Sequence, residues 1–270
     1  MKQKQLLDLC QRVLLNSRRQ LKSIGKKGLQ EVHDEKVTDI TTLADRMVSE
    51  RIIQLLRKSK IPATLFDEER GQINLSKNPK YVIAFDDIDG TDNYKRARRS
   101  LPHCTLITIF DSTTPNFEDA LIAGVIEHLS GDIWVGIRGE GCYYNGKKVK
   151  TSRKTKVDRK TLVSIDGYLG HEFIPRLHRV YSDAWVKSLG SAGFEFAGIS
   201  SGAIDGFISP LQKAHELGAG YRLIKEAGGY ICDLQGNPLD KMPYNFNEKY
   251  QIVAAATEEL AHNLISKIKT

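Results

Sequence analysis

The sequence predicts an α/β (α+β) protein of layered arrangement, made of two halves, 1–150 and 151–270. Three observations carry this expectation. A continuous apolar run, Tyr81-Val82-Ile83-Ala84-Phe85, stops at a string of aspartates. From 104 to 144 strand-like segments succeed one another without helices, and beyond 160 strands and helices alternate. Consecutive strands build an antiparallel meander, whereas alternation builds helices layered on a sheet.

In chain order, Leu6, Leu9, Cys10, Val13, Leu14, Leu21 and Ile24 recur at helical spacing over 5–24, and Gly25 can end that helix. A second helix starts at Thr41 or Thr42, buries Ala44, Val48, Ile52 and Leu55 or Leu56, and stops before Pro62. Leu65-Phe66 form a short strand running into Asp67-Glu68-Glu69. The apolar run at 81–85 is a buried strand that ends at Asp86. Strands follow at 104–110, 120–127 and 132–137, and Asn145-Gly146 signals a type I′ hairpin. The second half reads as strand 162–165, helix near 172–180, strand 185–188, helix 191–203, strand 205–208 and helix 214–227 ending at Gly228-Gly229. Strand 251–255 and helix 257–268 close it, with the seam between halves around 147–160.

With 270 residues, 40% hydrophobic and 27% charged, the chain has material for a substantial core. No apolar run reaches the ~20 residues of a membrane span, and the first residues lack a signal-peptide core, so a soluble, cytoplasmic protein is expected. Cys10, Cys104, Cys142 and Cys232 are far apart in sequence and are expected as reduced, packed thiols. The net charge of +7 comes largely from Lys147, Lys148, Lys150, Arg153, Lys154, Lys156, Arg159 and Lys160. No aromatic residues interleave with them, so a base-stacking platform is not indicated and a solvated connecting segment is the expectation.

The chemistry concentrates in Asp86-Asp87-Ile88-Asp89-Gly90-Thr91-Asp92-Asn93. A buried strand delivers several carboxylates to its end, where ligands of α/β proteins bind. Crowded anions demand a compensating cation, and carboxylate and carbonyl oxygens suit magnesium. Backbone amides of Gly90 and Thr91, opening a helix, can meet a phosphate. The plainer reading is an acidic helix cap with Asp89 as the capping residue. A calcium EF-hand loop fits poorly, since it would begin at Phe85 and end at Arg96. Glu68-Glu69 upstream and Glu216, in the first turn of a later helix, offer further carboxylates.

These residues resemble the inositol monophosphatase superfamily, which includes fructose-1,6-bisphosphatases and phosphoadenosine phosphatases. Its first signature, D-P-(I/L/V)-D-G-T-x-N-(F/Y), stands here as Asp86-Asp87-Ile88-Asp89-Gly90-Thr91-Asp92-Asn93-Tyr94. Its second, W-D-x-A-A-G with a later E-A-G-G, stands as His215-Glu216-Leu217-Gly218-Ala219-Gly220 and Glu226-Ala227-Gly228-Gly229. Weaker matches are Asp45 after Thr41-Thr42, Glu68-Glu69, the segment Arg138 to Gly146, and Gly190-Ser191-Ala192.

The resemblance implies a layered αβαβα sandwich and a magnesium-dependent phosphatase acting on a small sugar or polyol phosphate, with two or three ions. It implies Glu69, Asp86, the Ile88 carbonyl, Asp89 and Glu216 as metal ligands. Asp45 and Thr91, with Glu69, would position and activate the attacking water. Asp89, Gly90, Thr91, Ser191, Ala192 and Glu216 would contact phosphate or substrate, and Lys36 matches a basic residue near the site. A homodimer is also implied. Three departures stand out: Asp87 for proline, Glu216 for aspartate, and Ser209 where inositol-specific members carry an acid. The alternatives are a 3′-phosphoadenosine-5′-phosphate type nucleotide phosphatase, or a non-catalytic protein using its basic stretch on nucleic acid or a protein partner.

Overall fold

The computed structural model describes residues 1–30, 42–97, 100–167 and 169–268; Lys36 and Thr41 lie outside them. Helix α1 (Gln3–Ile24) is followed by a 3-10 turn (Gly25–Leu29), and the next described helix is α2 (Leu43–Ser59), whose N-cap is Thr42. Then come β1 (Ala63–Asp67), β2 (Gly71–Asn74), β3 (Tyr81–Asp89), α3 (Thr91–Ala97), β4 (Cys104–Phe110), β5 (Ala120–Glu127), β6 (Ile133–Ile137), β7 (Gly141–Tyr144) and β8 (Lys147–Val149). The rest is β9 (Leu162–Ile165), α4 (His178–Asp183), β10 (Trp185–Lys187), α5 (Ala192–Ser200), β11 (Gly206–Lys213), α6 (Ala214–Ala227), β12 (Tyr230–Asp233), β13 (Lys249–Ala255) and α7 (Glu258–Ile268).

Strands β1–β8 form one sheet in the order β2-β1-β3-β4-β5-β6-β7-β8, and the others a second sheet, β10-β9-β11-β13-β12. Helices α1 and α2 cover one face of the large sheet through Leu6, Leu9, Val13, Val48, Ile52 and Leu56, packed on Ile83, Phe85, Ile107 and Ile122. Between the sheets lie α5 and α6, with Phe196, Ile199, Leu217 and Tyr221 meeting Val82 and Phe110 on one side and Phe207 and Ile252 on the other. The outer face of the small sheet is closed by α7 and α4 through Leu260, Leu264 and Val180 against Val163 and Val253. The layers are therefore αβαβα, as the resemblance implies. The two middle helices run close together because Gly220 carries no side chain: a Cβ there would sit 2.4 Å from the Phe196 ring.

Element types follow the sequence expectation closely, and the Asn145-Gly146 turn has both residues at positive φ, as a type I′ hairpin requires. The sequence reading does not foresee the edge strands β2 and β12. It also stops β3 too early, at Asp86. The strand continues to Asp89 because its pairing with β4 shifts: Asp86 lies opposite Leu106, but Asp89 opposite Cys104. Three residues on β3 thus span two on β4, a β-bulge. The helix expected at 172–180 is a 3-10 turn, Ile174–Leu177, followed by the short α4. All four cysteines are free and buried.

Candidate metal centre and active site

Along a regular strand, residues 86 and 89 would point to opposite faces. The bulge cancels that alternation, and ligand oxygens of Asp86 and Asp89 come within 4.8 Å of each other and of Glu216. Glu216 arrives from the first turn of α6, where Gln212 Nε2 donates to its Oε2. A similar irregularity in β11, between Ser209 and Gln212, shapes the strand that leads into that helix.

Asp89 is held on three sides. Ser191 Oγ donates to its Oδ2 at 2.6 Å, the Gly193 amide to the same oxygen at 2.7 Å, and the Ala192 amide to Oδ1 at 3.1 Å. Ser191 and Ala192, expected at the substrate pocket, thus open α5 against Asp89. Gly90 sits at φ +83°, and a Cβ there would meet the Gly190 carbonyl at 2.9 Å. Asn93 Nδ2 ties the junction by donating to the carbonyls of Pro102 and Leu189 at 2.8 and 2.7 Å.

Asp45 and Thr91 also meet. Thr91 Oγ is 3.1 Å from Asp45 Oδ1 and 2.8 Å from the Ile88 carbonyl, donating its single proton to one at a time. Asp45 Oδ2 accepts from the Thr42 amide at 2.6 Å and the Thr42 hydroxyl at 2.5 Å. Burial pushes the Asp45 carboxyl up to about 6 despite those bonds.

The carboxylate beside Asp86 is Glu68, not Glu69. Glu68, Asp86 and His215 bring ligand atoms within 4.8 Å, whereas Glu69 is outside both such groups. The backbone amide of Glu69 donates to Asp67 Oδ1 at 3.3 Å, and its charge acts on Asp87, as do those of Asp45, Asp67 and Glu68. Lys213 Nζ donates to Glu68 Oε1 at 2.7 Å. Burial alone would raise the Glu68 carboxyl, but His215 and Lys213 outweigh it and hold Glu68 below the usual carboxylate range. Sequence reasoning missed Gln212, Lys213 and His215 as neighbours of the centre. Their spacing of one to four residues before Glu216 was the available signal.

Asp87, the residue in place of proline, is 1% exposed, and its Oδ2 has no hydrogen-bond partner among the described residues. Its carboxyl is pushed well up by burial and then by the charges of Asp45, Asp67, Glu69 and Glu68. Ser209 Oγ donates to Asp166 Oδ2 at 2.7 Å, which sets a carboxylate beside that serine.

The donor set suits a hard divalent cation. Asp86 is 1% exposed, its Oδ1 has no hydrogen-bond partner among the described residues, and its carboxyl is pushed well up by burial and then by Glu68, Asp89 and Glu216. Burying several carboxylates so close together is costly unless a cation compensates them. All-oxygen donors are the set that magnesium takes.

A model of the inositol monophosphatase family matches residues 5–270. The chain belongs to that family. Among the family's curated members, fructose-1,6-bisphosphatase of Pyrococcus furiosus is 26% identical over 86% of this chain and 84% of its own length. The Nus factor SuhB of Pasteurella multocida is 24% identical over 95% of this chain and 94% of its own. Among solved structures, the inositol monophosphatase of Thermotoga maritima superposes with a TM-score of 0.81 at 19% identity, covering 98% of this chain and 97% of its own. The family fold is therefore established, and no helix among the described residues is long and apolar enough to cross a membrane.

One further buried acid of this family member belongs to neither carboxylate group. Glu195 on α5 accepts from Ser164 Oγ at 2.5 Å and the Leu189 amide at 3.0 Å, yet burial, joined by Asp166 and Asp89, pushes its carboxyl up to about 8 from 4.5. The folded chain then keeps a proton that the unfolded chain releases, so stability falls as pH rises from 4.5 to about 8 and levels off beyond. Replacing Glu195 by glutamine should remove this component, whose slope is at most ~1.4 kcal/mol per pH unit. Urea unfolding of both proteins across that window checks it; parallel pH profiles would contradict the assignment.

Proposed function

We propose that the protein is a magnesium-dependent phosphatase that hydrolyses a small sugar or polyol phosphate monoester. The observation that carries this reading is the convergence of Asp86, Asp89 and Glu216 oxygens within 4.8 Å, next to the Asp45–Thr91 contact. In this reading Glu68, Asp86, the Ile88 carbonyl, Asp89 and Glu216 hold the cations. When bound, magnesium supplies positive charge that polarises the phosphate and makes water a stronger acid. Thr91 and Asp45 orient the attacking water, and Asp45 takes its proton; a carboxyl near 6 suits a base working at neutral pH. Backbone amides of Gly90 and Thr91 bind phosphate oxygens, and Ser191 and Ala192 border the substrate. No covalent enzyme intermediate is needed.

The test is phosphate release by the purified chain from inositol monophosphate, fructose-1,6-bisphosphate and 3′-phosphoadenosine-5′-phosphate, with and without magnesium. Magnesium-dependent turnover of the first two above the third is expected. No release from any of them would overturn the reading. Family membership also supports a homodimer in the cytoplasm, which light scattering and fractionation can check.

A second reading, a binding protein on this fold, draws on the relatives named Nus factor SuhB and on the basic segment. Lys147, Lys148, Lys150, Arg153, Lys156, Arg159 and Lys160 are exposed, while Lys154 pairs with Asp158 at 2.8 Å. Steeply salt-dependent RNA binding by a chain without phosphatase activity would favour it.

A further inference from the structure

We propose that His215 gives this centre a nitrogen ligand, so that the Glu68–Asp86–His215 group prefers a transition-metal cation of the cobalt, iron or zinc class over magnesium. This rests on the metal-centre reading above, but concerns the choice of ion rather than the reaction.

His215 occupies the place of the tryptophan in the family's second signature and enters at the start of α6. The residue is 5% exposed, and its Nε2 is buried with no hydrogen-bond partner among the described residues. That nitrogen lies 3.4 Å from Glu68 Oε2 and 3.7 Å from Asp86 Oδ2. Both separations exceed the ~2.7–3.2 Å of an N–H···O bond. They approach the spacing of neighbouring donors around one ion, which is ~3–3.5 Å when each ligand bond is ~2.0–2.2 Å.

The surroundings fix both partners. The imidazole packs against Phe246 with ring centroids 5.7 Å apart. Lys213 engages Glu68 Oε1 at 2.7 Å and leaves Oε2 facing the histidine. Outer contacts of this kind orient ligands.

Asp86 belongs to both groups: one offers only oxygens, from Asp86, Asp89 and Glu216, and the other adds an imidazole. Oxygen sets suit magnesium, whereas imidazole suits zinc, iron and their neighbours. One centre thus contains two unlike subsites bridged by Asp86.

The test titrates metal-free full-length protein with cobalt(II) alone and magnesium alone, for wild type, His215→Gln and His215→Asn. The ratio of cobalt to magnesium affinity should fall at least ~10-fold in both variants, the lower end of what losing even an outer partner of a ligand costs. Proton NMR of the cobalt-loaded wild type should contain a strongly shifted, exchangeable imidazole resonance that both variants lack. This spectrum needs no variant to fold and no turnover, so a failed phosphatase assay leaves the inference standing. An unchanged affinity ratio, or cobalt-loaded wild type without such a resonance, overturns it. His215 would then be an ion-paired side chain beside Glu68 and Asp86.

Discussion

Asp86→Asn is expected to lower phosphate release by more than ~100-fold, beyond the ~10–100-fold that loss of an outer partner of a metal ligand costs. Asp86 is the one residue common to both ligand groups, so no neighbour can replace it. The same substitution should raise the melting temperature of the metal-free protein. Burial, and then the charges of Glu68, Asp89, Glu216 and Asp87, push the Asp86 carboxyl well up. For such a group the folded chain holds a proton that the unfolded chain gives up, so its contribution to stability falls as pH rises above 3.8. Asparagine removes that cost. Added magnesium should reverse the order, because an ion that binds only the folded state stabilises the wild type by mass action. Thermal melts with chelator and with magnesium, beside turnover, measure both effects. Near-normal turnover in Asp86→Asn would sink the metal-centre assignment.

Glu68→Gln should cost ~100-fold in turnover, whereas Glu69→Gln should stay within about threefold, a separation set by which side chain serves as ligand. Glu68 Oε2 faces His215 and Asp86, and its Oε1 holds Lys213. Neutralising it removes the carboxylate that accepts from Lys213 and leaves an incomplete ligand set. Glu69 belongs to neither group, and its charge acts on Asp87. Steady-state kinetics of the two variants under saturating magnesium decide the matter. The opposite ranking would return the role to Glu69.

Much of this protein was legible in its amino acids. The apolar run at 81–85, the meander and the later alternation are local patterns, and local periodicity encodes element type directly. Order and layering followed, because each amphipathic face needs a partner. The signature residues Asp86, Asp89, Gly90 and Thr91 were recognisable for a related reason, since a strand end and a helix start place them within a few residues of one another, and Glu216 stands out in a second local motif at the start of a later helix.

What only the tertiary structure decided is where side chains point once regular geometry stops. Glu68 and Glu69 lie just past β1, where the pleat no longer dictates direction, so adjacent residues of one chemistry were indistinguishable. The bulge between Asp86 and Asp89 depends on pairing with β4, and nothing local to β3 announces it. Lys213 and His215 reach Glu68 from about 145 residues away, because α6 packs between the two sheets and aims its first turn at the end of β3. Sequence periodicity records each element's own geometry; the meeting of distant carboxylates, ammonium and imidazole is set by how the layers pack.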